Sequence, residues 1–425
     1  MTRQLICVAA TTIISWTASP GAAQQVRAGA DASASVGMSS NPFLVEGGEA
    51  TVFVDGVIAP GISISDERGS SSIGGYLRGT AYADNGYDPT WAIGAAAQSN
   101  RAVTERLSLR GSLQVDSTII GEKFNSALVT APTFLPTPSG ADSVQPGSVT
   151  PVTPVPATAI APPPQFIGSD ITLLGSRQRQ TTFGGSVGAN YRLSAREAVY
   201  ADLQAQRSVT GGRFFSFSSY GGTVGYSRSV SELTQVGVRL SSQWTHFDDG
   251  GTGEVHQPQL TLDTQLSPLW RLSAGAGIPL SKSRTPIARG SATSLSGNLR
   301  LCRDGERSEF CLRGSRDAGP NGLGVVSRQL SVGASYSMTL SEDESVRSSL
   351  DYSQVNTPGN LVGASDQLFR GDNSFMSASA AYDRRLGRRL RAGLSASFRR
   401  ADAGAESASD VSASVFLSTR LGAVR

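Results

Sequence analysis

The sequence predicts an all-β protein: a closed antiparallel transmembrane β-barrel of about 18 strands, in the range of roughly 16–18. Three observations predict it. The chain alternates apolar and polar residues over long stretches, it opens with a secretory leader, and short and long breaks in the alternation take turns.

The alternation is the strand signal. In Leu107-Ser108-Leu109-Arg110-Gly111-Ser112-Leu113-Gln114-Val115-Asp116 the odd positions are apolar or small and the even ones are polar or charged, glycines aside. In Leu390-Arg391-Ala392-Gly393-Leu394-Ser395-Ala396-Ser397-Phe398-Arg399 the apolar residues fall at even positions. Successive strand side chains point to opposite faces, so each segment has one oily and one wet side. Strands are expected to start near Val26, Ala50, Ser71, Trp91, Arg106, Gln180, Ala198, Phe217, Leu233, His256, Leu269, Ser291, Glu309, Val326, Ser345, Ser374, Arg389 and Ser409. Pro60 is expected to weaken the second, and the Gly-rich Gly314 to Gly324 the thirteenth.

The leader comes next. Arg3 precedes an apolar run from Leu5 to Trp16, and Gly21-Ala22-Ala23 supplies small residues before Gln24. Residues 1–23 therefore read as a signal peptide. The run is short for a retained membrane helix, which needs about 20 apolar residues. Residues 24–425 then form the barrel. Its place is the outer membrane of a Gram-negative bacterium, with outer-membrane lipid as its surroundings and the chain expected as a monomer. The composition agrees: 48 glycines and only 39% hydrophobic residues suit a wall with one wet face. A net charge of +3 gives no reason to expect nucleic acid.

The breaks give the orientation. Tight turns follow even-numbered strands, at Asp66-Glu67-Arg68-Gly69, Thr104-Glu105, Ser194 to Glu197, Ser231-Glu232, Ser267-Pro268, Glu342-Asp343-Glu344 and Leu386-Gly387-Arg388. Longer connections follow odd-numbered strands, at Ser39 to Glu49, Asp84 to Thr90, Phe247 to Val255, Ser281 to Gly290 and Asn356 to Asn373. Short turns belong in the periplasm and longer loops outside. The insertion at residues 121–177 holds ten of the 20 prolines and cannot join the sheet. It reads as a surface tether, with folding into the lumen as the alternative.

Faces follow from parity. Val236, Val238, Leu240 and Trp244 are expected to face lipid, as are Leu260, Leu262 and Leu266. So are Trp270, Leu272, Ala274, Ala276 and Ile278, and Val332, Ala334, Tyr336, Met338 and Leu340. Trp91, Trp244, Trp270, Tyr191 and Tyr352 fall near strand ends as an interfacial belt. Arg78, Arg110, Asp116, Asp202, Arg239, Asp263, Arg271, Arg300, Arg347, Asp351, Asp383 and Arg391 are candidate pore-lining residues. A charge on the lipid side near the midplane would cost roughly 2–4 kcal/mol. Such a lining either selects an anionic solute or is cross-strand charge pairing in a wet lumen. Pairing is favoured, because both signs are spread around the wall. Eighteen strands at ordinary spacing and tilt enclose roughly 35 Å, too wide for side chains to fill.

Cys302 and Cys311 flank an Asp-Gly turn, Asp304-Gly305, and are expected to pair in an oxidising compartment; two free thiols are the alternative. Two cysteines do not complete a metal shell. His246 and His256 bracket an acidic loop that could imitate a hydrolase or metal site, but the pattern has little specificity. No catalytic or nucleotide fingerprint occurs, so neither enzyme activity nor a cofactor is expected.

One stretch carries a family likeness. Ala28-Gly29-Ala30-Asp31-Ala32-Ser33-Ala34-Ser35-Val36-Gly37 leads into Asn41-Pro42-Phe43-Leu44. This resembles the start of the β-barrel porin type 2 group, outer-membrane porins associated with exopolysaccharide export. The resemblance implies a passive conduit for an exopolysaccharide, with a periplasmic export protein docked at the short-turn rim. A diffusion porin for small solutes is the alternative, and a scaffold presenting a surface-binding loop is a third. The chain departs from such barrels at its end, Arg420-Leu421-Gly422-Ala423-Val424-Arg425, which lacks a terminal aromatic; Phe416 or Leu421 could serve instead.

Overall fold

The computed structural model describes residues 25–84, 86–122, 174, 177–211, 216–248, 250–284, 289–320, 325–356, 372–403 and 406–422. The expected signal peptide and nearly all of the proline-rich insertion lie outside the described residues.

Eighteen strands run in chain order: β1 (Gln25–Ser39), β2 (Thr51–Asp66), β3 (Gly69–Tyr82), β4 (Thr90–Ala102), β5 (Leu107–Ile119), β6 (Arg179–Arg192), β7 (Glu197–Thr210), β8 (Phe217–Ser229) and β9 (Thr234–Phe247). They continue as β10 (Thr252–Ser267), β11 (Trp270–Gly277 resumed at Leu280–Arg284) and β12 (Arg289–Thr293 resumed at Ser296–Asp304). The last are β13 (Ser308–Pro320), β14 (Val326–Ser341), β15 (Glu344–Asn356), β16 (Asp372–Arg385), β17 (Leu390–Ala403) and β18 (Glu406–Leu421). Each pairs antiparallel with the next, and β1 pairs with β18 from Ala30↔Leu421 to Ser39↔Ser412. The sheet therefore closes on itself, its edges left open where Arg289–Thr293 of β12 parts from β13. Every expected strand start lies within four residues of the observed one, the largest offset being His256 against Thr252.

Proline marks where the ladder lapses. β2 is continuous through Pro60, but its pairing with β3 skips from Ile58↔Leu77 to Gly61↔Gly74. The missing amide donor is the reason. β10 pairs with β11 as Gln259↔Gly277 and again as His256↔Leu280. Between them Pro258 stands beside Ile278-Pro279, so both strands lack a donor there. The pairing resumes beyond the lapse, which corrects the expectation of an open loop at Ser281 to Gly290. Most of that stretch is a paired hairpin, Ser281↔Ala292 to Arg284↔Arg289. The Gly-rich stretch after Gly314 likewise stays in β13 to Pro320, paired with Val326.

Turns after even-numbered strands span two to four residues, 67–68 being the shortest kind and 193–196 the longest. Connections after odd-numbered strands reach 40–50, 120–178 and 357–371, although 248–251 and 404–405 are short. The outer face carries a continuous apolar band: Val187, Leu203, Val224, Val238, Leu260, Val332, Leu350 and Val415 are all exposed. An apolar exterior on a closed barrel is the surface of an outer-membrane protein.

Candidate functional site

The inner face is polar along its length. Opposite Val411, Val415 and Leu417, which are exposed outside, Asp410, Ser412 and Ser414 turn inward and are buried. Hydroxyls from neighbouring strands meet across this face: Ser112 with Ser186 at 2.7 Å, Ser315 with Ser331 at 2.8 Å, Ser349 with Ser379 at 2.8 Å and Ser397 with Ser412 at 2.7 Å.

Arginines on this face meet aspartates, often over a glycine. Arg110, Gly188 and Asp202 lie in register on β5, β6 and β7. A Cβ on Gly188 would fall 2.0 Å from Asp202 Oδ1 and 2.9 Å from Arg110 Nε. With no side chain on the middle strand, Arg110 Nε donates to Asp202 Oδ1 at 2.8 Å and Nη2 to Oδ2 at 2.5 Å. The same arrangement recurs as Arg313, Gly333 and Asp351 on β13, β14 and β15, with Arg313 Nη2 donating to Asp351 at 2.5 Å. Arg347 Nη2 donates to Asp383 at 2.8 Å, and Arg391 lies 3.7 Å from the same carboxylate. Arg271 Nη2 donates to Asp304 at 2.5 Å. Wet pairs of this kind contribute about 0–1 kcal/mol each to stability. Their larger effect is to cancel the field that a row of free arginines would raise.

One part of the wall is dry. The segment after β1 turns inward and buries Asn41, Pro42, Phe43 and Leu44. Asp410, fully buried, accepts from Ser39 Oγ at 2.6 Å and from the Asn41 amide at 3.0 Å. Arg399 Nη2 donates to Asp410 at 2.9 Å and to the Pro42 carbonyl at 3.0 Å, while Nη1 donates to the Gly121 carbonyl at 3.2 Å. Asn41 closes its own turn: Oδ1 accepts from the Val45 amide at 3.1 Å, and Nδ2 donates to the Val45 carbonyl at 2.7 Å. Phe43 packs on Tyr82 and Tyr87 at 5.5 and 5.6 Å, with the Arg177 guanidinium 4.7 Å above its ring. Beneath lie Arg78 and Asp55, paired at 2.6 Å. Thr80 Oγ1 also donates to Asp55, at 2.9 Å, and Thr90 Oγ1 donates to Glu122 at 2.5 Å. The result is an inward buttress on one side of the outer mouth, tied to β1, β3, β17 and β18.

The other residues read from sequence are dispersed. Asp116 accepts from the Tyr76 hydroxyl, and Arg239 donates to Gln259. Asp263 stands opposite Gln235 and Ser273. Arg300 Nε lies 3.3 Å from Cys302 Sγ. Cys302 and Cys311 are directly opposed across β12 and β13 and form a disulfide with Cα atoms 4.1 Å apart. Sequence reasoning missed Asp55, Glu122, Asp304, Arg313, Arg399 and Asp410. Five of these sit in strands, and parity alone assigns Arg399 to the side of Arg391.

His246 and His256 face outward. His246 Nε2 lies 3.3 Å from the Tyr220 hydroxyl and His256 Nδ1 3.0 Å from Ser242 Oγ. Trp244 stacks on Tyr220 beside them, as an interfacial belt would. The basic turn at Arg384 and Arg385 is matched by Glu344 at 3.6 Å and Asp343 at 3.8 Å. Among the described residues no three His, Cys, Asp or Glu side chains gather as a metal site.

No family model matches the chain, and no curated protein does. The resemblance read from Val26 to Leu44 therefore rests on that stretch alone. Solved structures do resemble it. OccK2 (OpdF) of Pseudomonas aeruginosa, crystallised with glucuronate, is 12% identical over 94% of this chain and 99% of its own, with a TM-score of 0.44. A BenF-like porin from Pseudomonas fluorescens Pf-5 is 10% identical over 94% and 99%, also with a TM-score of 0.44. OpdK of Pseudomonas aeruginosa is 11% identical over 93% and 98%, with a TM-score of 0.42.

Proposed function

We propose that this outer-membrane barrel is a passive channel for small hydrophilic solutes rather than a conduit for an exopolysaccharide. The observation that carries the reading is the inward buttress at Asn41 to Leu44. It is held from the wall by Arg399 and Asp410 and from below by the Arg78 cluster. A fixed obstruction in a wide lumen admits solutes by size. The buried ion pair keeps that obstruction fixed, as a constant size limit requires.

In this reading the inward residues Arg110, Asp116, Asp202, Arg239, Asp263, Arg271, Arg300, Arg347, Asp351 and Arg391 border the aqueous path, while Arg78, expected among them, is buried under the buttress against Asp55. The hydroxyl rows and paired charges keep it wet without a strong field of either sign. Such a lining suits neutral and weakly charged solutes. Polysaccharide export and a docked periplasmic export protein gain no support from this geometry. Of the periplasmic basic turn, Arg384 and Arg385 already have acidic neighbours on the adjacent turn.

Planar-bilayer recording tests the proposal. The expected result is a permanently open conductance, lowered by small neutral polymers that enter and unaffected by larger ones. A barrel that inserts but conducts nothing would overturn it. So would loss of surface polysaccharide in a deletion strain with unchanged small-solute uptake.

A further inference from the structure

The wall has one deep irregularity, and it faces lipid. At Ile278-Pro279 and again between Thr293 and Ser296 the strands β11 and β12 lapse together. Beyond the lapse the hairpin Leu280–Arg284 and Arg289–Thr293 stays paired with β10. Among the described residues it has no ladder to β13, whose register with β12 begins at Gly297↔Arg316. On the inner face Gln257 of β10 comes within 3.4 Å of Asp317 of β13, across two intervening strands. The sheet is pinched there, and the hairpin stands out on the lipid side as a ledge.

Below the ledge lies a groove of about 1060 Å³. Its wall is almost wholly apolar: Leu240, Leu260, Ala276, Ile278 and Leu295, with Tyr226 toward the periplasmic side. Leu260, Ile278 and Leu295 are more than half exposed, so the groove is open to lipid tails.

Above it is a cluster of four cations. Lys282 and Arg284 are exposed on the ledge. Arg316 is exposed beside Gly297, and Arg328 of β14 donates to the Thr293 carbonyl at 3.2 Å. Among the described residues none of the four has a carboxylate within 4.0 Å. The opposite rim mixes paired and unpaired arginines. There Arg101 pairs with Asp66 at 3.3 Å, Arg228 with Glu197 at 3.9 Å and Arg384 with Glu344 at 3.6 Å. Cations lacking acidic partners thus sit over the groove on the long-loop side.

We infer that the groove and ledge bind a phosphorylated, acylated glycolipid of the outer leaflet. An acyl chain lies in the groove, and the headgroup phosphates lie on Lys282, Arg284, Arg316 and Arg328. The groove offers the acyl chain close van der Waals contact, and basic clusters at a bilayer surface attract anionic headgroups. The site is independent of the lumen, so it stands or falls apart from the channel reading.

The test uses the intact barrel in mild detergent and native mass spectrometry. The probes are diphosphorylated lipid A, dephosphorylated lipid A and phosphatidylglycerol. One variant combines Lys282→Glu, Arg284→Glu and Arg316→Glu; a second, Leu260→Trp, fills the groove. Diphosphorylated lipid A is expected to be retained at least tenfold more strongly than either other probe, and both variants are expected to lose that excess. Folding is checked separately by the heat-dependent gel shift. Equal retention of the dephosphorylated lipid or of phosphatidylglycerol by the native protein would overturn the inference. So would undiminished retention by a folded variant. The comparison of probes on the unaltered barrel decides the matter even if the charge-reversed variant fails to fold.

Discussion

Replacing Arg399 by Met should loosen the inward buttress without unfolding the barrel. The side chain makes three kinds of bond: to Asp410 at 2.9 and 3.2 Å, to the Pro42 carbonyl at 3.0 Å and to the Gly121 carbonyl at 3.2 Å. A hydrogen bond from a charged donor contributes about 1.5–3 kcal/mol. Removing one partner of a buried ion pair costs about 3–5 kcal/mol, because the other charge is left alone. These figures overlap and do not add. Asp410 also keeps Ser39 and the Asn41 amide as donors. About 3–5 kcal/mol against the docked state is therefore the fair magnitude. It raises the undocked fraction by a factor of roughly 10² to 10⁴.

Single-channel recording reads this directly. Arg399→Met should give a higher mean conductance, more current noise and entry of larger neutral polymers than the unaltered barrel. Adding Asp410→Asn should recover part of the lost heat stability, since the orphaned charge goes while most hydrogen bonds stay. If the Met variant is folded and all three electrical readouts match the unaltered channel, the buttress does not limit the path and the reasoning fails.

Gly188→Val should force Arg110 and Asp202 apart, because the new Cβ would meet Asp202 Oδ1 at 2.0 Å; reversal potentials should shift while the barrel still inserts, and an unchanged selectivity would count against a lumenal pair. Leu240→Arg places a charge on the lipid face near the middle of β9, with an expected loss of roughly 2–4 kcal/mol in urea unfolding from vesicles. Ser241→Arg, one residue on and facing inward, should cost far less, and equal losses would refute the face assignment. Replacing Cys302 and Cys311 together by Ser removes a cross-link of the kind that stabilises by about 2–4 kcal/mol. Unfolding midpoints of oxidised, reduced and Ser forms should then separate, the last two coinciding.

The strand count and faces were legible because both are written with a period of two residues. Arg110 to Asp116 carries the pattern on its own, and a slip of one residue would put every charge into lipid. The hairpin at Leu280 to Thr293 was not legible. Pro279 and a polar run read as a loop, and nothing local tells that Pro258 on the neighbouring strand suspends the ladder at the same height. The buttress was half legible. Asn41-Pro42-Phe43-Leu44 stood out as a motif, yet its partners Arg399 and Asp410 lie more than 350 residues away. A pairing at that distance follows only from closure, when β18 returns to β1.

The lining could be read as charged but not as balanced, and balance matters more for transport. Arg110 with Asp202 and Arg313 with Asp351 skip a strand, so their sequence separations of 92 and 38 follow no local rule. What permits both is a glycine on the strand between, in register with each partner. Gly188 and Gly333 therefore have an electrostatic role that composition alone would assign to turns. Filling either position would leave an arginine and an aspartate, two strands apart, unable to meet, each exposed to the water of the lumen. The wall would keep its net charge and lose its local neutrality. An ion passing the site would then meet separated charges in place of a closed pair. Conductance could stay the same while ion selectivity moved, which is the signature that distinguishes a paired lining from a merely mixed one.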